Sequence, residues 1–358
     1  MKKILKNLKK IFLKKEFDSF ESSWMKGDLK TDFDFKKYSN HNIFNSLSAN
    51  SNYGFYYWPY GYLFRHVKWG MINKLGFRTD IEFENFEQIK SQFQIGFFGG
   101  STGYDVLVPY DQSIVGKLEK KLNNNKYIKE KYGLVKIINF SQPGNLVLNQ
   151  IINFIQFGSL ANLKIIISHS SGNDFGAGLS NDPKIVKKYK IAYLDVMEAW
   201  GKKIHDSYLD IDILHLDQNS QDFKTLNLKT DPLTAFNAYK FRIDQFAKLV
   251  TSQNKIFVNG VMPHIFSKKK LSQFEEKKLK NSNPYYKNVY EALPKVYEIL
   301  NSDIKNNNSH YKIINFHEIF ADLSPTKNHF GDFVHLLDEG NEVVSNEYYK
   351  SILEEILN

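Results

Sequence analysis

Five short apolar segments recur from residue 94 onward, and they restrict the fold of this chain more than any other feature. They are QIGFFG (94–99), LVKIINF (134–140), LKIIISH (163–169), KIFVNGVM (255–262) and YKIINF (311–316). Each is rich in β-branched or aromatic residues and has the length of a buried strand. The chain is therefore expected to contain a sheet of about five strands.

Helix-like stretches alternate with these segments, at 112–122, 146–157, 184–204, 233–252, 271–301 and 338–357. Strands that alternate with helices form mostly parallel sheets with helices on both faces. The pattern predicts an α/β doubly wound fold, in which ligands bind beyond the carboxyl ends of the strands.

Composition excludes several classes of protein. The chain has 358 residues, of which 42% are hydrophobic and 24% charged, as in a globular protein. It contains no cysteine, which excludes disulfides and thiolate metal sites. No two histidines have a zinc-type spacing with a carboxylate, so neither a metal nor another cofactor is predicted.

The net charge of +9 comes mainly from residues 1–15, MKKILKNLKKIFLKK, which carry seven lysines and no acidic residue. Subtracting these seven charges leaves +2, so a basic groove for nucleic acid is not expected. The apolar residues of this arm share one helical face. It can lie on an anionic membrane surface as a peripheral contact, or pack against the protein itself, and both alternatives remain open.

The arm has the wrong pattern for a secretory signal, because lysines interrupt its apolar residues. No later segment approaches the roughly 18 apolar residues of a membrane span. We therefore expect a cytoplasmic protein, with the membrane surface as the peripheral alternative. The abundance of Lys, Asn and Ile is typical of an AT-rich bacterial genome.

Two regions are predicted along the chain. Residues 1–90 form the basic arm and an aromatic-rich N-terminal extension, with YGFYYWPYGYLF at 53–64, which is expected to pack on the core. Residues 91–358 form the predicted catalytic domain. The oligomeric state is not indicated.

Polar residues follow four of the predicted strands. Gly99, Gly100 and Ser101 follow the first, the segment Ser141–Asn145 the second, and the segment Ser170–Asp174 the third. Asp332 and His335 follow the last strand at a spacing of Asp-x-x-His. In a parallel sheet these positions converge on one edge.

This set of groups suits ester hydrolysis. A serine hydroxyl becomes a nucleophile when a histidine takes its proton, and a carboxylate holds that histidine in the required tautomer. The tetrahedral intermediate needs hydrogen-bond donors for its oxyanion. Suitable donors are the backbone N–H groups of Ser101 and Gly144 and the side-chain amide of Asn173.

Together these blocks resemble the SGNH (GDSL-type) hydrolase superfamily over roughly residues 75–357. The resemblance implies a flavodoxin-like sheet, with Ser101 as nucleophile, His335 as general base and Asp332 as the residue that orients it. It also implies an oxyanion hole formed by Ser101, Gly144 and Asn173.

The sequence departs from the family pattern in two places. Gly100 stands where the family's Gly-Asp-Ser has Asp, and the third block reads Ser171-Gly172-Asn173-Asp174 instead of Gly-x-Asn-Asp. Both changes leave the catalytic groups in place and are expected to alter the substrate pocket, so Gly100 is a candidate substrate-binding residue. GGST variants resemble the family's polysaccharide-associated members.

Other polar residues have weaker signals. His264, at the end of the fourth strand, is a candidate for the pocket wall, since relatives often bind substrate there. Arg78 resembles an arginine that precedes the first block in many relatives, and it either braces the loops or binds an anionic ligand. His169 is a rival general base without a suitably spaced Asp partner. Two further histidines, His317 and His329, are expected to lie in loops or on the surface. The charge run KKKLSQFEEKK (268–278) is expected to enter a solvated, lysine-rich helix.

The predicted function is a serine esterase that removes a small acyl group, acetyl in the favoured version, from a carbohydrate or cell-surface glycan through an acyl-enzyme. Its predicted partner is a small-molecule or glycan ester. Two alternatives remain: an O-acyltransferase with the same triad, acting in polysaccharide modification, and a glycan-binding protein on an inactive hydrolase scaffold.

Overall fold

The structure is a computed structural model of the chain. It describes residues 55–58, 61–64, 73, 75–82, 93–105, 107–142, 144–179, 231–280, 284–306 and 309–357. The basic arm and the helix predicted at 184–204 lie outside the described residues. Strands β1 (Phe55–Trp58) and β2 (Gly61–Phe64), in the predicted aromatic-rich extension, form an antiparallel pair.

A five-stranded parallel sheet organises the rest of the described chain. Its strands are β3 (Phe93–Gly99), β4 (Val135–Asn139), β5 (Leu163–Ser170), β6 (Ile256–Val261) and β7 (Lys312–Asn315). Their spatial order is β4-β3-β5-β6-β7, and every neighbouring pair is parallel. Counted within the sheet, this is the order 2-1-3-4-5 of flavodoxin-like folds. The predicted fold class is confirmed.

Ten α-helices belong to the described residues. They are α1 (Ser101–Tyr104), α2 (Ile114–Asn124), α3 (Lys126–Tyr132), α4 (Val147–Gln156), α5 (Gly172–Leu179), α6 (Pro232–Thr251), α7 (Gln273–Lys280), α8 (Pro284–Asn306), α9 (Phe316–Ile319) and α10 (Asp338–Leu357). Short 3-10 turns lie at Tyr110–Gln112, Gly158–Leu160 and Ile265–Ser267. None of the helices that the structure describes has the length and apolarity required to cross a bilayer.

Two groups of helices cover the two faces of the sheet. Helices α2 and α10 pack together on one face, and α4, α5, α6 and α8 pack on the other. The predicted helix at 271–301 is instead two helices, α7 and α8. Pro284 begins the second of them, where its fixed φ and missing N–H are tolerated.

Alternate residues of β3 supply both halves of the core. Phe98 contacts Phe140, Phe154 and Phe246 on the α4–α6 face. Phe97 contacts Tyr348 of α10 on the opposite face. Successive side chains of a strand point to opposite faces, so a sheet covered on both sides buries the whole strand.

Candidate active site

Ser101 is separated from the end of β3 by Gly100 alone and is the first residue of helix α1. The sheet order reverses between β3 and β5, which makes this edge the switch point where doubly wound folds bind ligands. The chain turns again at Asp105, which has a left-handed backbone and donates its N–H to the Ser101 carbonyl at 2.9 Å. Ser101 is thereby held at the carboxyl edge of the sheet, and it is 6% exposed.

Ser101, His335 and Asp332 form a continuous hydrogen-bonded chain. The Ser101 Oγ lies 2.7 Å from His335 Nε2, and His335 Nδ1 lies 2.7 Å from Asp332 Oδ2. With a proton on Nδ1 donated to the carboxylate, Nε2 is free to accept from the serine hydroxyl. This is the arrangement of an acyl-transfer triad.

The Asp332 carboxylate is held by its own loop. Its Oδ1 accepts from the backbone N–H groups of Val334 at 2.9 Å and His335 at 2.8 Å. Burial alone would raise the pKa of Asp332, but the adjacent His335 and these hydrogen bonds outweigh burial and hold its pKa below the ordinary value. Asp332 therefore stays ionised and orients the imidazole.

The loop that carries Asp332 and His335 is closed at its base. Leu337 donates its N–H to the His329 carbonyl at 2.9 Å, and Gly331 donates to the His335 carbonyl at 2.9 Å. Gly340 packs against this base, because a Cβ atom there would lie 2.5 Å from the His329 carbonyl oxygen. These contacts fix the ends of the loop relative to helix α10.

A buried ion pair under this loop was not predicted from the sequence. Lys268 Nζ lies 2.6 Å from Glu275 Oε2, and both side chains are fully buried. Glu275 Oε1 accepts from the backbone N–H groups of His329 at 2.8 Å and Phe330 at 3.2 Å. We call Lys268, Glu275 and His329 the loop clamp. It joins the loop after β6 to the loop of the triad.

The clamp bears on two predictions. Of the two places expected for His329, a loop or the surface, it occupies a loop, where it is 2% exposed and its Nδ1 lies 3.1 Å from Lys268 Nζ inside the clamp. Burial, followed by the Lys268 charge, lowers the pKa of His329. The charged run 268–278 was expected to be solvated, but two of its charges, Lys268 and Glu275, face each other in the interior.

The predicted oxyanion donors lie on two neighbouring loops. Gly144 has φ +78°, a left-handed conformation that favours glycine. Asn173, in the first turn of α5, donates through Nδ2 to the backbone carbonyl of Asn145 at 2.9 Å. Because an amide nitrogen has two hydrogens, Nδ2 keeps a second donor.

Asp174 joins these two loops. Its carboxylate oxygens accept from the backbone N–H of Val147 at 3.3 and 3.2 Å, which caps the start of α4. Burial raises the pKa of Asp174 to about 6, although Arg242 opposes the shift. The residue that follows Asn173 is thus fastened to the segment that follows Gly144.

Arg78 is 1% exposed and braces the turn after α1. Its Nη1 donates to the Tyr104 carbonyl at 2.8 Å and also to the Asp105 carbonyl, and its Nη2 donates to the Val108 carbonyl at 2.7 Å. Two roles were expected for Arg78 from the sequence, bracing the loops or binding an anionic ligand. These hydrogen bonds correspond to bracing.

His264 and His169 are both buried. His264 packs against Tyr297 and His317, and its pKa is well below the ordinary value, first because of burial. Its predicted place in the substrate pocket stays a prediction. His169 Nδ1 lies 2.9 Å from the Tyr348 hydroxyl on the α10 face of the sheet, and burial lowers its pKa to about 3. The imidazole that contacts Ser101 is that of His335.

Among the residues that the structure describes, no group of three or more His, Cys, Asp or Glu side chains is arranged to hold a metal ion. The groups brought together at this edge are a hydroxyl, an imidazole, a carboxylate and hydrogen-bond donors. They are sufficient for acyl transfer through the serine.

No family model and no curated protein matches the chain. Among solved structures, it is similar to the acetyl xylan esterase AlAXEase, with 12% identity and a TM-score of 0.41 over 73% of this chain and 100% of that one. A member of the lipolytic protein G-D-S-L family from Veillonella parvula has 14% identity and a TM-score of 0.40, covering 72% and 97%.

A catalytic mutant of an acetylxylan esterase from Geobacillus stearothermophilus has 11% identity and a TM-score of 0.38, covering 72% of this chain and 93% of that one. The G-D-S-L family named for one of these structures is also the one that the four sequence blocks resemble. At these identities, the activity has to be inferred from the chain's own residues.

Proposed function

We propose that the chain is a serine esterase that removes a small acyl group, acetyl in the first instance, from a carbohydrate. The observation that carries the proposal is the chain of two 2.7 Å contacts from Ser101 through His335 to Asp332. Ser101 is far in the sequence from Asp332 and His335, and a nucleophile, base and orienting carboxylate in this order are the working parts of a serine hydrolase.

In the proposed reaction, Ser101 Oγ attacks the ester carbonyl while His335 Nε2 takes its proton. Asp332 stabilises the imidazolium, and the oxyanion accepts hydrogen bonds from the backbone of Ser101 and Gly144 and from Asn173. The intermediate collapses, the carbon–oxygen bond to the alcohol breaks, and His335 returns the proton to the leaving alcohol. Water, deprotonated by His335, then attacks the acyl carbon. The bond from this carbon to Ser101 Oγ breaks, His335 returns the proton to Oγ, and the acyl group leaves as a carboxylic acid.

The enclosure of the site supports a small acyl group. Ser101, Asp332 and His335 are 6%, 9% and 4% exposed, which leaves little open surface at the nucleophile for a long acyl chain. The frequent aromatic residues, 15% of the chain, support a carbohydrate as the alcohol part, since sugar rings pack against aromatic side chains.

Ser101→Ala tests the proposal directly. With p-nitrophenyl acetate as substrate, the parent should hydrolyse the ester and the variant should lose on the order of 10³-fold or more in kcat. A fluorophosphonate probe should label the parent and not the variant. Ser159→Ala, at an exposed serine that donates to Ile155, is the matched control and should label like the parent. Equal turnover by parent and Ser101→Ala would refute the proposed triad.

The acyl acceptor is tested separately. Acetate release from acetylated glycans should be the same with and without added sugar acceptors if water is the acceptor. If added sugar lowers the amount of free acetate and acetylated sugar is formed, the reaction is acyl transfer through the same triad and not hydrolysis.

A further inference from the structure

Gly100, between β3 and the nucleophile, is the position where the related family has Asp. Its backbone has φ −89° and ψ −152°, an extended conformation open to residues other than glycine. The backbone angles therefore do not explain why the residue before Ser101 lacks a side chain.

The space around Gly100 does explain it. A Cβ atom at this position would lie 2.5 Å from Asn173 Nδ2 and 3.3 Å from the Asn145 carbonyl oxygen. Favourable non-bonded contacts of carbon lie at about 3.5–4 Å, so the first contact is a steric overlap. The Asn173 amide occupies the volume that a side chain at position 100 would need.

This packing fixes the direction of the Asn173 amide. One of its hydrogens is donated to Asn145 O at 2.9 Å, and the space that a Cβ atom at Gly100 would take borders both the amide nitrogen and this carbonyl oxygen. Donors that are held in place before reaction stabilise an oxyanion more than donors that must reorganise. The Asn173 amide is thus preorganised by its hydrogen bond to the Asn145 carbonyl and by the absence of a Cβ atom at Gly100.

We propose that Gly100 is a positioning residue, which acts through Asn173 by leaving room for its amide at the oxyanion hole. This inference rests on the proposed function, in which Asn173 is an oxyanion donor. Any side chain at position 100 pushes the amide away from the Asn145 carbonyl. An Asp side chain at position 100 has the same effect. Gly100→Asp, which restores the family's Gly-Asp-Ser, therefore lowers kcat.

A double-mutant cycle tests the proposal with p-nitrophenyl acetate. Gly100→Ala should lower kcat by at least about 10-fold, with a limit near the 10²–10³-fold loss expected for Asn173→Ala, while KM changes less than 3-fold. In the Asn173→Ala background, Gly100→Ala should cost nothing further, because the group through which it acts is gone.

Gly96→Ala is the matched steric control. A Cβ atom at Gly96 of β3 would lie 2.7 Å from Leu163 Cδ1 and 2.8 Å from Phe98 Cε2, an overlap of similar size away from Asn173. This variant should lower Tm and leave kcat per folded molecule within about 2-fold of the parent. If Gly100 had a purely structural role, Gly100→Ala would likewise lower Tm and leave kcat per folded molecule near the parental value.

The side-chain amide resonances of Asn173 provide a readout without activity. They should shift in Gly100→Ala and keep their parental positions in Gly96→Ala. If the parent shows no Ser101-dependent hydrolysis, the proposed function fails, whereas these resonances still report whether Gly100 positions the amide. Parental kcat in Gly100→Ala, or equal fractional losses in both backgrounds of the cycle, would overturn the inference.

Discussion

Two buried aspartates, Asp332 in the loop of the triad and Asp174 next to Asn173, have pKa values that move in opposite directions. Asp332, on the acid–base side, has a lowered pKa because His335 and backbone hydrogen bonds outweigh its burial. Asp174, on the oxyanion side, has a pKa raised to about 6 because burial outweighs Arg242 and the N–H of Val147. Both carboxyl groups are buried, so the opposite directions of their pKa shifts come from their charged and hydrogen-bonding partners.

The comparison extends to the way each side is built. The acid–base side is held by charges with close partners, in the Asp332–His335 pair and in the Lys268–Glu275 pair of the loop clamp. On the oxyanion side, Asp174 also has a charged partner, Arg242 at 3.6 Å, but the contacts of Asn173 itself are neutral, since its amide meets a backbone carbonyl and a glycine. Removing a charge should therefore damage the first side, and adding bulk should damage the second.

The largest effect is expected from Asp332→Asn. The amide keeps the volume but loses the charge that stabilises protonated His335, and it favours the wrong imidazole tautomer. We expect kcat to fall by about 10³–10⁴-fold with little change in KM. Steady-state kinetics on an aryl acetate measure this. Asp322→Asn, at an exposed pair with Lys269, is the control and should match the parent. A loss below 10-fold at Asp332 would show that its charge is not needed.

Next in size is the removal of the clamp carboxylate. Glu275→Ala leaves Lys268 buried without its partner and leaves the N–H groups of His329 and Phe330 without their acceptor. The free energy of unfolding should fall by about 3–5 kcal/mol, as measured by urea denaturation.

Glu275→Gln sharpens this prediction, because it keeps an acceptor for the two N–H groups and should cost less than Ala. Glu339→Ala, at an exposed pair with Lys327, is the matched control and should cost under about 1 kcal/mol. If Glu275→Ala were no worse than this control, the clamp would not stabilise the loop.

The smallest effect is a pH dependence on the oxyanion side. A carboxyl group with a raised pKa binds its proton more tightly in the folded state, so its contribution to stability falls as the pH rises from about 4 through about 6. Asp174→Asn removes this titration. The Tm of the variant minus that of the parent should increase between pH 4 and pH 7, corresponding to at most about 3 kcal/mol.

Thermal unfolding at several pH values measures this difference, and a decrease toward pH 7 would contradict the raised pKa. The contribution of Asp332 to stability depends on pH in the opposite direction. Its contribution is present above the unfolded pKa of about 4 and is lost as the pH falls through its lowered folded pKa. The Tm difference between Asp332→Asn and the parent should accordingly narrow in strong acid.

The sheet was predictable because its strands are short, mostly apolar segments, and β3, β5 and β6 are buried along nearly their whole length. The predicted segments and the observed strands β3 to β7 differ by at most one residue at each end. The division between α7 and α8 was missed, since a long amphipathic pattern does not reveal where a proline begins a new helix.

The sequence alone indicated which groups to expect at the carboxyl edge of the sheet. In a parallel sheet the residues after each strand converge, so Ser101, Gly144 and Asn173 could be assigned to one site from local patterns. Asp332 and His335 could be added through the Asp-x-x-His block that the related family shares. Only the tertiary structure decided what holds these groups. Lys268 and Glu275 have the charges of a solvated helix and become a clamp through burial. In the sequence, Gly100 has the pattern of a turn. Its lack of a side chain is explained only by the amide of Asn173, which lies after a different strand, β5.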